Sequence, residues 1–168
     1  MTQPAPRRRG GWKQIATAAA AAIAVATVGG VITEIGPWYY ALRKPSWQPP
    51  DWAFGPAWTL IFALAALSGY LAWQSAPSMR RWGAIVGLFT ANGLLNIGWS
   101  ACFFALHRPD WALGEVGPLW LSVLALIVVL WPQSRRAAWL LVPYLAWVGF
   151  AAVLNLAVVQ LNYPFVEP

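Results

Sequence analysis

One stretch near the C-terminus places aromatic and amide side chains at helical spacing inside apolar sequence. Tyr144, Trp147, Ala151, Leu154 and Asn155 occupy positions i, i+3, i+7, i+10 and i+11 and therefore share one helical face. Two aromatic rings, a small residue and an amide on one face are a usual lining of an apolar ligand site. Interior packing produces the same spacing, so periodicity alone leaves both interpretations open.

A second set of polar residues follows the same logic. Asn92, Asn96 and Ser100 are spaced by four and project from one face of another apolar segment. Polar side chains are costly in lipid unless they face the bundle interior and find partners, so these three mark the inward face. Asn96 is a candidate to pair with Asn155 across the bundle, which would make both amides structural rather than ligand contacts.

Signatures of catalysis and of metal binding are scarce. The chain has one cysteine, Cys102, and one histidine, His107, whereas a metal site needs several converging ligands. The sequence contains no Ser-His-Asp set, no Gly-rich phosphate loop and no paired membrane carboxylates. We expect His107, in a short polar turn, to be solvated rather than an axial haem ligand. Enzymatic activity stays uncertain, because a bound pigment needs only oxidisable indoles beside it.

Composition predicts the elements that position these residues. The 168 residues are 60% hydrophobic and 10% charged, with a mean hydropathy of +0.55, whereas soluble domains carry about 25% charged residues. Apolar runs long enough to cross a bilayer predict helices at approximately 14–34, 56–75, 80–106, 111–131 and 136–161. The sequence therefore predicts an all-α membrane protein, a bundle of five transmembrane helices forming one domain (12–168) after a basic disordered arm (1–11).

Two of the predicted helices need comment. The first helix has the basic start, apolar run and small residues of a cleavable signal peptide. Its apolar run exceeds the length of about 7 to 15 residues that is usual in signal peptides, so we favour a spanning helix. In the last, Pro143 removes a backbone hydrogen bond and is expected to kink or loosen the helix.

Charge predicts topology rather than a nucleic-acid partner. The 11 Lys and Arg outnumber the 5 acids, but they stand in short clusters between apolar runs and form no basic reading face. The side of the N-terminus holds Arg7, Arg8, Arg9, Lys13, Arg80, Arg81, Arg135 and Arg136. The other side holds Arg43, Lys44 and Arg108. The bias predicts a cytoplasmic N-terminus and a C-terminus on the opposite side, and we expect a bacterial source.

The connection between the first two helices, residues 36–55, is rich in proline and tryptophan, and we call it the lid. Pro45, Pro49 and Pro50 fix φ and push the preceding residues toward extended geometry, so the lid is expected to be ordered but not helical throughout. Arg43 and Lys44 lie in it and could meet acidic groups of a ligand at the rim.

Small residues recur at intervals of four, at Ala18, Ala22 and Ala26 and again at Gly83 and Gly87. Such stripes let helix backbones approach closely in a membrane. We favour packing within one chain, and a homodimer seam is the second interpretation.

Three motif blocks occur in order along the chain. They are Trp38-Tyr39, Leu42, Lys44-Pro45, Trp47, Pro49-Pro50, Phe54, Pro56 and Trp58; then Leu95-Asn96, Trp99-Ser100 and Phe103-Phe104; then Pro143-Tyr144, Trp147, Phe150-Ala151 and Leu154-Asn155. In these residues the chain resembles the tryptophan-rich sensory protein family, also called translocator protein or peripheral-type benzodiazepine receptor.

The resemblance implies a five-helix bundle with its first connection folded over a ligand pocket, frequent homodimers, and binding of protoporphyrin IX or haem as a ligand, with no cofactor required. It implies pocket positions at Trp47, Trp58, Trp99, Trp111, Trp147, Ala151 and Leu154. Spacing adds Asn96 and Tyr144, and the lid adds Arg43 and Lys44 for the porphyrin propionates. We therefore expect a tetrapyrrole-binding sensor or transporter in the lipid bilayer.

Two alternatives accompany this expectation. Some bacterial members of the family degrade porphyrin in light with two tryptophans that match Trp58 and Trp147, which would make the protein an enzyme. Eukaryotic members bind cholesterol, which would make it a lipid- or sterol-binding regulator. The sterol motif needs a basic residue after its tyrosine, and none follows Tyr163, so sterol binding through that motif is not expected.

Overall fold

The computed structural model describes residues 11–165. Its α-helices are α1 (Trp12–Ile32), α2 (Pro37–Ala41), α3 (Phe54–Ser75), α4 (Met79–Ser100), α5 (Pro109–Leu130), α6 (Arg135–Leu140) and α7 (Val142–Asn162). Five helical stretches of the described chain are long and apolar enough to cross a bilayer. This confirms the predicted all-α membrane bundle, and the protein is an integral, multi-pass membrane protein. The predicted arm lies outside the described residues except for Gly11.

Local sequence sets the ends of the helices. Ser78 and Ser134 precede α4 and α6, and their hydroxyl groups accept hydrogen bonds from the backbone N–H groups of Arg81 and Ala137. Such N-caps satisfy donors that have no partner in the first turn. Pro109 occupies the first turn of α5, where its missing N–H costs nothing. These caps keep the connections between the spans short.

The last span is broken where Pro143 was expected to disturb it. Helix α6 ends at Leu140, Leu141 takes a bridging conformation, and α7 begins at Val142 with Pro143 in its first turn. A proline ring cannot donate to the preceding turn, so the helix restarts instead of continuing. The break confirms the prediction.

The long helices close into a ring. Helix α1 packs against α3 and α4, α4 against α5, α5 against α7, and α3 against α6 and α7. One side of this ring is solid: Val123, Leu126 and Leu130 of α5 are fully buried together with Leu141. In contrast, Gly29 is the one buried residue of α1.

Glycines let α1 and α4 touch near their midpoints. A Cβ atom on Gly93 would lie 3.0 Å from Cγ2 of Val25, which is too close for any side chain without a shift. Gly29 faces Ser100 across the same contact. This is the close approach that small residues permit between membrane helices.

One of the two stripes of small residues, that of Gly83 and Gly87, does not serve the packing within the chain that we favoured. Gly83 and Gly87 are exposed, and a Cβ atom on either would meet nothing within 4 Å. They therefore lie on the outer surface of α4. Ala18, Ala22 and Ala26 are half-buried and line cavities inside the bundle, and close packing at this stripe stays a prediction.

Candidate functional site

A cavity of about 740 Å³, which we call the lid cavity, lies between the lid and the helices α1, α3, α4 and α7. Four indoles line it: Trp52 lies in the lid, and Trp58, Trp99 and Trp147 come from α3, α4 and α7. Trp58 and Trp147 meet edge to face, with ring centroids 6.4 Å apart and an interplanar angle of 84°. The lid and three different helices supply these indoles, so only the folded bundle brings them together.

A wide turn at the end of α4 adds two more rings. The chain makes one π-helical turn from Ala101 to Ala105, and Phe103 and Phe104 on it both line the lid cavity. Phe103 stacks on Trp99, with centroids 5.3 Å apart. Such wide turns inside α-helices are frequent at functional sites. Here the turn supplies a pair of adjacent aromatic rings to the cavity wall.

Hydrogen bonds hold two of the polar cavity residues in place. Trp99 Nε1 donates to Asn155 Oδ1 over 3.2 Å, and Asn155 Nδ2 donates to the carbonyl oxygen of Pro109 over 2.9 Å. Asn96 Nδ2 donates to the Tyr144 hydroxyl over 3.3 Å. The predicted pair between Asn96 and Asn155 is therefore wrong. Each amide finds a partner on another residue, and Asn155 fixes the orientation of an indole that lines the cavity.

The lid carries its own polar network. The Tyr39 hydroxyl donates to Asp51 Oδ1 over 2.8 Å, and Gln48 Nε2 contacts both of these oxygens at 3.3 and 3.2 Å. Lys44 Nζ lies 3.5 Å from the centroid of the Tyr39 ring, a cation–π distance. Burial of the phenol and the adjacent Asp51 carboxylate raise the pKa of Tyr39. The hydroxyl therefore stays a donor at neutral pH.

A second set of bonds ties the lid to the end of the bundle. Asn162, the last residue of α7, accepts from the backbone N–H of Arg43 and donates to its carbonyl oxygen, both over 2.8 Å. Trp38 stacks on His107, in the turn after α4, with ring centroids 4.2 Å apart. The lid is ordered, as predicted: it combines the short helix α2, an extended segment and a 3₁₀ turn at Asp51–Ala53.

The sequence has clear relatives among known proteins. The profile of the TspO/MBR family matches residues 16–161. The chain belongs to the TspO/MBR family. It is 39% identical to "Tryptophan-rich protein TspO" of Chlorobaculum tepidum over 144 residues, covering 83% of this chain and 90% of that protein. It is 37% identical to "Protein CrtK" of Rhodobacter capsulatus, covering 84% and 88%, and 35% identical to "Translocator protein" of Homo sapiens, covering 75% and 75%. The resemblance stated from the motif blocks is thereby confirmed.

The fold gathers most of the residues expected in the site of this TspO/MBR family member. The cavity wall includes Lys44, Trp58, Asn96, Trp99, Trp147, Ala151 and Leu154. Contacts come from the lid and three helices, so the assembly follows from the fold and not from proximity in the chain. The role of these residues in binding stays a prediction.

Four other expected residues lie elsewhere. Trp47 is 48% exposed and packs edge to face on Phe150, and Trp111 is 51% exposed beneath the Arg108 guanidinium. Tyr144 is buried behind the lid cavity, where it bonds to Asn96. Arg43 is fastened through its backbone to Asn162, and its side chain is not part of the cavity wall. Lys44 is therefore the basic lid residue in the wall.

Sequence reasoning missed several contributors to the wall. Phe62 stacks on Trp58 with centroids 5.4 Å apart, and Asp51 and Gln48 reach the cavity from the lid. Phe62 is four residues after Trp58, a spacing that places both on one helical face. That signal was present in the sequence. The sequence carried no signal for the Asp51–Tyr39 contact, because this contact depends on how the extended part of the lid turns back.

Proposed function

We propose that this protein is a membrane tetrapyrrole-binding sensor or transporter that holds protoporphyrin IX or haem in the lid cavity. The observation that carries the proposal is the aromatic cavity of about 740 Å³, walled by indoles from three helices. Ligand sites are typically apolar concavities of about 300–1,000 Å³ with a few polar groups. A flat macrocycle gains about 0.5–1.5 kcal/mol per aromatic contact beyond its area burial.

The rim of the lid cavity has one basic side chain that could bind an acidic group of the ligand. Lys44 and Asp51 are the charged residues among those described that line the lid cavity. Lys44 Nζ rests on the Tyr39 ring and needs only side-chain rotation to reach a propionate, with which it would form a charge-assisted bond. We expect one propionate at Lys44 and the other in solvent.

Binding should not depend on iron. Neither His107 nor Cys102 belongs to the wall of the lid cavity, and His107 is occupied by its stack on Trp38. Among the described residues no group of three or more His, Cys, Asp and Glu could hold a metal ion. We therefore expect metal-free protoporphyrin IX and haem to bind with similar affinity, since the macrocycle makes the contacts in both.

The test is a porphyrin titration followed by the porphyrin's own absorbance. We expect saturable binding that weakens about tenfold or more, 1.4 kcal/mol, in Trp147→Ala and in Ala151→Trp, which fills the cavity. The matched control is Trp139→Ala, because Trp139 is 59% exposed and contacts Trp131 outside the cavity. Equal affinity in all four proteins would refute the lid cavity as the site.

One contact supports a second candidate, light-dependent degradation of porphyrin. Trp58 and Trp147 touch each other and both line the lid cavity, so oxidisable indoles would stand beside a bound pigment. Illumination in air should then bleach the porphyrin Soret band. Loss of bleaching in Trp58→Phe and Trp147→Phe with binding retained would distinguish an enzyme from a carrier.

A third candidate, a lipid- or sterol-binding regulator, is supported by the thin wall that α1 gives the lid cavity. Small residues of this helix, Ala22, Ala26 and Gly29, separate the cavity from the lipid. Native mass spectrometry of the protein extracted with its own lipids should then show a retained lipid or sterol that porphyrin displaces.

We also propose a homodimer through the outer face of α4. Gly83 and Gly87 lie open there and would let a second copy approach closely. The double variant Gly83→Leu, Gly87→Leu should be monomeric by light scattering in detergent, and unchanged dimers would exclude this face.

The proposed topology, with a cytoplasmic N-terminus, is checked by an alkaline phosphatase fusion at the C-terminus, which should be active.

A further inference from the structure

The bundle contains a second cavity, of about 540 Å³, near the end where α1 and α4 begin and α3 finishes. It shares a wall with the lid cavity, formed by Ala22, Val25, Phe62 and Ala66. From the Gly93–Val25 contact, where α1 and α4 touch, the second cavity extends toward Lys13. The two cavities thus occupy opposite halves of the bundle.

The second cavity has a polar end and an apolar end. Lys13, Gln14, Trp73 and Trp82 line it near the ends of their helices, where membrane proteins meet the water–lipid boundary. Deeper in the bundle the wall is mostly apolar and finishes at Phe62, and Asn92 and Tyr144 are among its polar members there. The 12 helical steps from Lys13 to Val25 span about 18 Å, the length of an extended long acyl chain.

Charge and access define the occupant further. Lys13 is the only charged side chain among the described residues that line this cavity, no acidic residue accompanies it, and no ion pair to it occurs in the described part of the chain. Val86 and Leu94 belong to the wall and are 41% and 64% exposed, so the cavity opens to lipid along α4. An occupant can therefore enter sideways from the membrane.

We propose that the second cavity binds a long-chain fatty acid, with the carboxylate at Lys13 and the acyl chain extending toward Phe62. A charge-assisted bond to the ammonium group at the boundary and an apolar bed for the chain match the two ends of this ligand. A diacyl phospholipid would bring a second chain and a larger head group, for which one cavity of this volume has no room. This site is separate from the lid cavity and does not rest on the tetrapyrrole proposal.

The test uses the full chain in nanodiscs with a photoreactive palmitic acid that carries a diazirine in its chain. After illumination and digestion, we expect labelling of residues 18–25 and 62–73. Lys13→Gln should lower the labelling at least fivefold. Gly69→Leu should do the same, because a Cβ atom there would make only ordinary contact with Phe89 and the rest of the side chain would fill the cavity.

The matched control is Arg135→Gln, since Arg135 is on the same predicted side of the membrane but lies over Trp131 outside the cavity. Its labelling should equal that of the parent, and circular dichroism checks the fold of each variant. Unlabelled palmitate should compete, whereas methyl palmitate and phosphatidylglycerol should not.

Five results would overturn the proposal. Labelling spread over lipid-facing residues such as Leu121 and Val128 would mean that the probe labels the protein only from bulk lipid. Unchanged labelling in Lys13→Gln would mean that Lys13 does not bind the carboxylate. Competition by methyl palmitate would mean that binding does not require the carboxylate. Competition by phosphatidylglycerol at equal concentration would assign the cavity to a phospholipid. Labelling confined to monomers and lost in dimers would mean that a second copy fills the space.

Discussion

The two sides of the ring of helices differ in how they are filled. On the side of α5 and α6, side chains such as Val123, Leu126 and Leu141 are fully buried, and none of these three lines either cavity. On the side of α1, small residues line two cavities, and one residue of that helix is buried. One half of the bundle is therefore packed solid, and the other half contains the space in which we propose that ligands bind.

The largest expected loss of stability comes from a substitution in the densely packed half of the bundle. Leu126→Ala should lower the free energy of unfolding by about 2 kcal/mol, because in a membrane the leucine loses packing rather than shelter from water and the cavity cost remains. The measurement is equilibrium unfolding in mixed detergent micelles. Leu121→Ala on the same helix is the control, because Leu121 is 58% exposed and should change stability little. Equal losses in both variants would contradict the contrast between the two sides.

The next substitution should lower both the stability of the bundle and the affinity of the lid cavity for porphyrin. Asn155→Ala removes the bonds to Trp99 and to the Pro109 carbonyl, and should cost about 1–2 kcal/mol of stability, near the upper end for polar pairs in membranes. It should also weaken porphyrin binding, because Trp99 loses its orientation. The measurements are unfolding and the porphyrin titration.

Asn92→Ala is the matched control for this prediction. Asn92 bonds Ser122 between α4 and α5 over 2.8 Å and does not line the lid cavity. It should lose comparable stability and keep its affinity for porphyrin. A parallel loss of affinity in both variants would mean that Asn155 acts only through stability.

A smaller effect is expected where the lid is fastened. Asn162→Ala removes both bonds to the backbone of Arg43, and should cost about 0.5–1.5 kcal/mol of local stability at an exposed site. Hydrogen exchange of the lid should quicken, while exchange in α5 stays the same. Unchanged exchange in the lid would show that the Trp38–His107 stack alone holds it.

The smallest effect concerns the polar network within the lid. Tyr39→Phe keeps the ring under Lys44 but removes the bond to Asp51, so exchange in the lid should quicken less than in Asn162→Ala. Because burial and Asp51 raise the pKa of Tyr39 above its ordinary 10.0, the phenol contributes its stability below that pH and loses it as the folded form ionises. Lid exchange, corrected for its intrinsic pH dependence, should therefore not change between pH 6 and about pH 9. A change within that range would exclude the phenol as its source.

Much of this could be predicted from particular residues. The positions of the five spans followed from apolar runs between charged clusters, and the broken last span followed from Pro143. The inward stripe of Asn92, Asn96 and Ser100 is buried as expected. The surroundings of Gly83 and Gly87 were harder to predict, because their spacing suits contact either with a helix of the same chain or with a second copy. Spacing says which residues share a face, but it does not say what the face meets.

The amino-acid sequence by itself determined the class of the protein, because composition and run length report directly on the solvent around each segment. It also determined the family, through three motif blocks in order. Only the tertiary structure decided that Trp58, Trp99 and Trp147 share one cavity while Trp47 and Trp111 stay outside it. The reason is that wall positions depend on the rotation of each helix about its axis and on the path of the lid, and both are fixed by contacts between residues far apart in the chain.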